Sequence, residues 1–174
     1  LIAELRKHIT VNSDLKVKKV VKAGSFAKFT ILKKTAEDDI DVDVVFYIDG
    51  KNIDDTTLDN LNDLIYSLLT KIYPTKAVED FEIQRRAATV TFVKSGISVD
   101  IVPVIQDESN PNHGWQYDLK SKERNLTCAP CHIQFIRDRK NSDKHYRTLV
   151  RMAKRWKNFE NPPGLKSFHI ELIL

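Results

Sequence analysis

The stretch that decides the fold runs from residue 39 to residue 48 and reads Asp-Ile-Asp-Val-Asp-Val-Val-Phe-Tyr-Ile. Acidic and apolar residues alternate at its start, and its second half is wholly apolar. Because successive side chains of a β-strand point to opposite faces, the alternation predicts a strand whose carboxylates share one face. The apolar second half predicts burial on both faces, which is typical of a strand inside a sheet.

Two of these carboxylates, Asp41 and Asp43, are candidates for holding metal. Residues two apart on a strand lie side by side, with Cα atoms about 7 Å apart, and two ionised carboxylates there repel unless a cation lies between them. Mg²⁺ suits such hard oxygen ligands. Asp100 interrupts the apolar run 98–103 in the same way. If the two strands are neighbours, three carboxylates converge on ions about 4 Å apart, the arrangement used for nucleotidyl transfer.

An Asp-x-Asp pair that merely faces water at a strand end is common, so the pair alone is weak evidence for a metal site. The apolar surroundings of Asp100 favour the metal interpretation, and so does Gly24-Ser25. That dipeptide follows a predicted strand at residues 17–21 and precedes a short predicted helix. Glycine allows a ligand to approach the backbone closely, and a helix N-terminus offers free N–H groups to an anion.

The remaining pattern predicts an α+β fold with a mixed, mostly antiparallel sheet flanked by helices. We predict a hairpin of strands 87–93 and 97–104, a loop at 110–114, and helices at residues 1–10, 55–73, 130–140, 143–159 and 165–174. In helix 143–159 the residues expected to face inward are Tyr146, Leu149, Val150, Ala153 and Trp156. Residues 1–126 are expected to form the core domain, and residues 127–174 the beginning of a helical region that continues in a longer protein.

Composition excludes several classes of protein. A chain of 174 residues that is 41% hydrophobic can bury one ordinary core. No apolar run approaches the roughly 20 residues of a membrane helix, and the first ten residues lack the pattern of a signal peptide. Two cysteines are too few for a disulfide framework, so the cytoplasm is the expected location, without membrane attachment.

The net charge of +4 is unevenly distributed, because residues 137–157 hold nine basic and two acidic side chains. Lys144, Arg147, Arg151 and Lys154 are spaced by three, four and three residues, which places them on one face of a helix. Such a face can neutralise phosphate charge, although a basic stripe that is merely solvated has the same pattern.

These motifs, taken in order, resemble a known superfamily. They are Gly24-Ser25, Asp41-Val-Asp43 followed by Val-Val-Phe, Val99-Asp100-Ile-Val-Pro, and the stretches 149–156 and 165–172. The chain resembles the polymerase-β-type nucleotidyltransferases from residue 17 to its end. Within them it is similar to the cGAS/DncV-like nucleotidyltransferases (CD-NTases), bacterial cyclic-oligonucleotide synthases of CBASS antiphage defence that are related to 2′-5′-oligoadenylate synthase. The resemblance implies a polymerase-β-like fold with the start of a C-terminal helical lobe.

The resemblance also implies residue roles. Asp41, Asp43 and Asp100 would be catalytic and bind two Mg²⁺ ions, with Mn²⁺ as an alternative, and Asp100 would also orient the attacking hydroxyl. The nucleotide would be bound by Gly24 and Ser25 at the triphosphate, Arg151 and Lys154 at phosphates, Ser167 at the triphosphate, and Phe168 against the base. Asp39 with Asp41 is the alternative metal pair. The family often has glycine where this chain has Phe29.

The implied function is synthesis of a cyclic di- or trinucleotide messenger from NTPs, with release of pyrophosphate, and a downstream effector protein would sense the product. Three alternatives stay open. They are a linear 2′-5′-oligoadenylate synthase activated by duplex RNA, a nucleotidyltransferase acting on tRNA or on a small-molecule hydroxyl, and a catalytically silent module that binds nucleotide or RNA.

The run Cys128-Ala-Pro-Cys131-His132 matches two metal-related patterns. The c-type haem pattern needs an exported chain. The Cys-x2-Cys spacing suits tetrahedral zinc, with His132 and His113 as further ligands, but a second ligand pair is missing. Two ordinary cysteines near a helix start are the preferred interpretation.

Overall fold

A seven-stranded mixed sheet organises the protein in a computed structural model that describes residues 1–33, 40–50 and 60–174. The elements are α1 (Ile2–Asn12), β1 (Val17–Lys22), α2 (Gly24–Lys28), β2 (Ile40–Ile48), α3 (Leu61–Ile72), β3 (Phe81–Ile83), β4 (Ala88–Phe92), β5 (Ile97–Gln106), β6 (Gly114–Asp118), β7 (Glu123–Thr127), α4 (Ala129–Ser142), α5 (Tyr146–Glu160) and α6 (Ser167–Ile173).

The strands follow the order β1-β2-β5-β4-β3, and β6 pairs with β5 and β7. The β2–β5 pair is parallel, and the other pairs among the described strands are antiparallel. Parallel neighbours need a long crossover, and here α3 and the β3–β4 hairpin lie between β2 and β5 in the chain. The prediction of a mixed, mostly antiparallel sheet is therefore confirmed.

One face of the sheet carries the main core. Val44 and Phe46 of β2 and Val99 and Ile101 of β5 are buried on this face. They pack with apolar side chains of α1, α3, β3 and β4, namely Leu5, Ile9, Ile65, Leu68, Leu69, Phe81, Ala88 and Val90. Because the side chains of a strand alternate, the residues between them point to the other face.

That opposite face is where the acidic residues lie. Further along the strands it is apolar, since Val45 and Tyr47 of β2 and Val104 of β5 cluster there with Ala23 and Ala129. Ala23 directly precedes α2, and Ala129 begins α4. The carboxylates at the start of β2 and in β5 are thus on the face covered by α2 and α4.

Helices α4 to α6 pack on one another beyond the last strand. Ile136, Tyr146 and Val150 form their buried cluster, and the Tyr146 hydroxyl donates to the backbone carbonyl of Glu171 at 2.6 Å. The predicted inward positions of α5 were partly wrong, because Leu149 is 45% exposed and Trp156 is 53% exposed. The inward row instead continues from Tyr146 and Val150 to Lys154, a charged residue that apolar periodicity does not detect.

Other element predictions had mixed outcomes. The hairpin is confirmed as β4 and β5, whereas β6 and β7 were missed because their side chains are largely polar or exposed. The predicted helix 55–73 corresponds to α3, and residues 55–59 lie outside the described part of the chain. Across the described ranges, no helix has the length and apolar character required to cross a membrane.

Candidate active site

The parallel pairing of β2 with β5 brings the predicted carboxylates together. In this register Asp43 is directly opposite Asp100, and Asp41 is opposite Ser98. Neighbouring strands lie about 4.8 Å apart, so the side chains of Asp43 and Asp100 are adjacent on the same face. The condition on which the metal hypothesis depended, that the two acidic strands are neighbours, is therefore met. Asp39, half of the alternative metal pair, lies outside the described residues.

Both of these adjacent carboxylates are difficult to ionise. Burial raises the pKa of Asp43, the negative charges of Asp100 and Asp41 raise it further, and the positive charge of Lys28 opposes them. Burial also raises the pKa of Asp100, against a hydrogen bond donated by the Thr89 hydroxyl at 2.6 Å. A bound divalent cation would remove this repulsion, so the donor set fits a hard metal ion.

Gly24 is placed directly against the Asp43 carboxylate. Its φ is +61°, and a Cβ atom added there would lie 1.6 Å from Oδ2 of Asp43. The backbone N–H of the preceding Ala23 donates to the carbonyl of Asp43 at 2.8 Å. Glycine is therefore required here for both conformation and space, and the first turn of α2 is held beside the carboxylates. Ser25 is the second residue of that helix and forms no side-chain cap.

A buried ion cluster joins α2, α5 and α6. The carboxylate of Glu171 accepts hydrogen bonds from Lys28 through Oε2, and from Lys154 at 2.5 Å and the Thr30 hydroxyl at 2.6 Å through Oε1. Lys154 also donates to the Thr30 hydroxyl at 3.0 Å. Burial raises the pKa of Glu171, but these three donors outweigh it and leave the pKa below its ordinary value. Lys28 and Lys154 both interact electrostatically with Asp43, so the cluster borders the acidic site.

Lys28, Thr30 and Glu171 were not predicted from the sequence, and Lys154 was predicted only as part of a basic face. Glu171 carries the same signal as Asp100, a single acidic residue inside an apolar run, and could have been found by it. Lys28 and Thr30 carry no such signal, because a lysine or threonine at the end of a short helix is ordinary.

Phe29 stands where the resembled family often has glycine, and this difference has a structural consequence. Phe29 adopts the left-handed conformation, with φ 58° and ψ 33°, which favours glycine and is strained for a bulky residue. Its carbonyl accepts a hydrogen bond from Arg151 at 3.0 Å, and the Arg147 guanidinium lies 4.8 Å from its ring centroid. These two arginines of α5 therefore help to hold the strained turn after α2, a role different from the predicted contact with phosphate.

Phe168 lies at the edge of the ion cluster and is 40% exposed. Its ring centroid is 5.1 Å from that of His132, and the Lys28 ammonium is 5.7 Å from it. The preceding Ser167 begins α6. The structure thus brings Gly24, Asp43 and Asp100 together and places Lys154 and Phe168 around the adjoining cluster. Arg151 lies farther out, against Phe29.

The cysteines are not independent, as the sequence analysis preferred, but are joined in a Cys128–Cys131 disulfide. The ligand atoms of His113, Cys128 and Cys131 all lie within 4.8 Å of one another. His132, the other zinc ligand considered, packs on Phe168 instead.

Comparison with known proteins identifies the family of the chain. The sequence pattern of the Second Messenger Oligonucleotide or Dinucleotide Synthetase (SMODS) domain matches residues 1–140. The chain belongs to this family. As predicted, it is a cGAS/DncV-like nucleotidyltransferase domain with a polymerase-β-like α+β fold. The family generally uses divalent metal ions.

Its relatives are bacterial cyclases. A CBASS oligonucleotide cyclase CdnC of Escherichia coli strain KTE188 is 54% identical, over 100% of this chain and 55% of its own length. A cyclic AMP-AMP-AMP synthase of E. coli strain MS 115-1 is 35% identical, over 98% of this chain and 53% of its own length. The chain spans about half the length of the curated relatives it matches.

Solved structures of E. coli MS115-1 CdnC also match. The structure with ATP has a TM-score of 0.74 and 32% identity over 98% of this chain and 54% of that one. The complex of the same protein with HORMA-deltaN has a TM-score of 0.73 and 32% identity, over 98% of this chain and 53% of that one.

The contact between Gly24 and Asp43 can be tested by adding one methyl group. Gly24→Ala should lower the free energy of unfolding by about 2–4 kcal/mol, through left-handed strain plus displacement of the Asp43 carboxylate. Gly164→Ala is the matched control, because Gly164 has φ +76° but nothing within 4 Å of an added Cβ. It should lose only about 1 kcal/mol in denaturant titrations. Equal losses in the two variants would contradict the proposed contact.

Proposed function

We propose that the whole protein is a metal-dependent nucleotidyltransferase that makes a cyclic di- or trinucleotide second messenger from NTPs in CBASS antiphage signalling. The observation that carries the proposal is the register of β2 against β5, which sets Asp43 opposite Asp100 with Asp41 on the same face. The relatives named as oligonucleotide cyclases support the assignment of this acidic site to nucleotidyl transfer.

Asp41, Asp43 and Asp100 are the proposed ligands of two Mg²⁺ ions, with Mn²⁺ as an alternative. The fit is supported by their oxygen chemistry and by the raised pKa values of Asp43 and Asp100, which reflect negative charge held partly away from water. When bound, the ions supply activation of a ribose hydroxyl and neutralisation of the charge that develops on the phosphates.

The chain's own residues mainly position the substrates. Gly24 and Ser25 are proposed to bind the donor triphosphate, and the close approach of Gly24 to Asp43 would keep that triphosphate beside the metal ligands. Lys154 and Ser167 are proposed to contact phosphates from the side of α5 and α6. Phe168 offers a partly exposed ring on which a base can stack. Arg151 is also proposed as a phosphate contact, although its guanidinium is shared with the Phe29 carbonyl.

The reaction we propose is attack of a ribose hydroxyl on the α-phosphorus of an NTP. An O–Pα bond forms as the hydroxyl loses its proton to solvent, the bond from Pα to the oxygen that bridges it to the β-phosphorus breaks, and pyrophosphate leaves. Asp100 is proposed to orient the attacking hydroxyl, whereas the cationic side chains reduce the charge repulsion between the two nucleotides. Catalysis would therefore rest on positioning and electrostatics rather than on a covalent intermediate with the protein.

The relatives also guide the choice of substrate and partners. E. coli MS115-1 CdnC was solved with ATP, and the MS 115-1 relative is named a cyclic AMP-AMP-AMP synthase, so ATP and a cyclic trinucleotide are the first candidates. The solved CdnC complex with HORMA-deltaN supports a HORMA-type protein as a partner. A separate effector is proposed to sense the product, and the cytoplasm is the proposed location.

We also propose that the nucleotidyltransferase core comprises residues 1–126 and that a helical region begins at residue 127. Two observations support this boundary. The last described strand ends at Thr127, one residue past the proposed boundary, and the elements after it are the helices α4, α5 and α6.

The proposal predicts a nucleotide product that depends on the acidic site. The longest natural form of the protein would be incubated with all four NTPs and Mg²⁺ or Mn²⁺, with and without duplex RNA, and the products would be identified by mass spectrometry. We expect a cyclic di- or trinucleotide from the wild type, and at least a 100-fold loss for Asp41→Ala/Asp43→Ala and for Asp100→Ala, of the order reported for loss of transition-state electrostatics.

Asp63→Ala is the control, since Asp63 is exposed on α3 on the other side of the sheet and should retain full activity. Linear products that appear only with duplex RNA would favour an RNA-activated synthase instead. Products that persist in Asp100→Ala would contradict the metal-ligand assignment.

A further inference from the structure

We propose that Glu171 is a positioning residue, which orients Lys28 and Lys154 toward the triphosphate of a bound NTP. This inference rests on the proposed function and adds a residue to it. Glu171 would not touch the substrate, and its effect would pass through the two lysines.

The side chain and the backbone of Glu171 are both held in place by hydrogen bonds. One carboxylate oxygen accepts from Lys28, and the other accepts from Lys154 and from the Thr30 hydroxyl. Its side chain is 2% exposed. The Tyr146 hydroxyl binds the Glu171 backbone carbonyl at 2.6 Å, so α6 is fixed at this residue through backbone as well as side chain.

The charges of the cluster do not balance. Two ammonium groups meet one carboxylate in a buried position, where excess charge is costly unless another anion lies near. Asp43 is such an anion, because it interacts electrostatically with both lysines. When Asp43 binds a cation, its charge no longer balances the two lysines. Among the described residues of this cluster, Glu171 is then the one anion left to pair with Lys28 and Lys154. A polyphosphate beside Asp43 would supply the missing negative charge.

Glu171 also controls whether Lys154 keeps its proton. Burial lowers the pKa of Lys154, and the neighbouring Lys28 lowers it too, whereas Glu171 and Asp43 raise it. These groups face Lys154 from α2, β2 and α6. Without the negative charge of Glu171, Lys154 should lose its proton at a lower pH. The affinity for a polyphosphate should then begin to fall at that lower pH, because an uncharged lysine no longer attracts the phosphates.

The experiment compares wild type, Glu171→Gln and Glu171→Asp for binding of a non-hydrolysable ATP analogue with Mg²⁺ at a series of pH values from about 6.5 to 9.5, all below the ordinary lysine pKa. We expect Glu171→Gln to bind at least about tenfold more weakly at pH 7.5, with the alkaline loss of affinity moved to lower pH. Glu171→Asp, which keeps the charge but not the reach, should weaken binding and keep the wild-type pH dependence. Glu160→Gln, exposed at the end of α5, is the control.

The outcomes separate positioning from simple stabilisation. Circular dichroism establishes whether each variant is folded. If Glu171→Gln does not fold, the binding comparison is made with Glu171→Asp. Wild-type affinity and pH dependence in a folded Glu171→Gln variant would overturn the positioning role while leaving the proposed function intact. A wild-type protein that binds no nucleotide would overturn both.

A second inference comes from different residues. We infer that His113, Cys128 and Cys131 bind one Zn²⁺ ion when the cysteines are reduced. Zn–S bonds are about 2.3 Å and Zn–N bonds about 2.0–2.1 Å, so two ligand atoms of one zinc ion lie no more than about 4.6 Å apart. The His113 nitrogen already lies within 4.8 Å of both sulfurs, and reduction of the disulfide lets the two sulfurs separate so that each can bind the ion.

The three ligands are held by well-defined backbone. Cys128 caps α4, and its sulfur accepts the Cys131 N–H at 3.2 Å, a contact that favours a thiolate. The backbone of His113 bonds to Asn110 and Asp107 on the opposite side of the loop. Zinc would therefore tie the loop before β6 to the beginning of the helical region.

Zinc binding requires the open form of the disulfide. Two electrons and two protons from a dithiol convert Cys128–Cys131 into two thiols, and the dithiol becomes a cyclic disulfide. Zn²⁺ then displaces the two thiol protons and binds two thiolates, the His113 imidazole and one water, which gives the four ligands of a tetrahedral site.

The test uses this chain, reduced with dithiothreitol and freed of it without oxygen, then titrated with Zn²⁺ against a chromophoric chelator. We expect one zinc per chain for the reduced wild type and none for the oxidised form. Affinity should fall at least about tenfold for His113→Ala and Cys131→Ser, as for loss of a ligand, and stay unchanged for the control His145→Ala. Reduced wild type that takes up no zinc, or His113→Ala that binds like wild type, would overturn the site.

Discussion

The repulsion between Asp43 and Asp100 is the constraint around which the rest of this molecule is arranged. Parallel pairing of β2 with β5 sets the two residues opposite each other on a partly buried face. Burial raises the pKa of both carboxylates; the charge of Asp100 raises the pKa of Asp43 further, and the charge of Glu82 raises that of Asp100. A fold that held such a pair only for stability would gain by replacing it, and we therefore propose that the pair binds a cation.

Positive charge reaches this site from parts of the chain that are distant in sequence. Lys28 comes from α2, directly after the Gly24 turn, and Lys154 comes from α5. Glu171 of α6 binds both lysines, so the first helix after β1 and the last described helix meet at a single carboxylate. The helical region therefore contributes directly to the acidic site, because its charged residues complete the electrostatic surroundings of the carboxylates.

Sequence reasoning succeeded where a signal was local and failed where it depended on tertiary contacts. Alternation around Asp41 and Asp43, and the isolated Asp100, predicted both strands. Their adjacency was only a condition of the metal hypothesis, and it is the fold that shows it. The β6–β7 hairpin has no comparable alternation of buried apolar residues, so it could not be predicted. Lys154 was interpreted from the sequence as part of a solvated or phosphate-binding basic stripe. Its partner Glu171 lies 17 residues away on another helix, so only the fold shows that Lys154 is buried against it.

The most direct test of this account measures thermal unfolding of wild type and Asp43→Asn, in EDTA and in excess Mg²⁺. Because the pKa of Asp43 is raised in the folded state, ionisation above about pH 4 costs stability in the metal-free protein, and the cost persists at neutral pH. At pH 7.5 in EDTA, Asp43→Asn should therefore melt at a higher temperature than wild type, and the gap should close as the pH falls below about 4. Excess Mg²⁺ should raise the melting temperature of wild type but not of the variant. A variant that is no more stable than wild type in EDTA, together with a wild type that does not respond to Mg²⁺, would contradict the account.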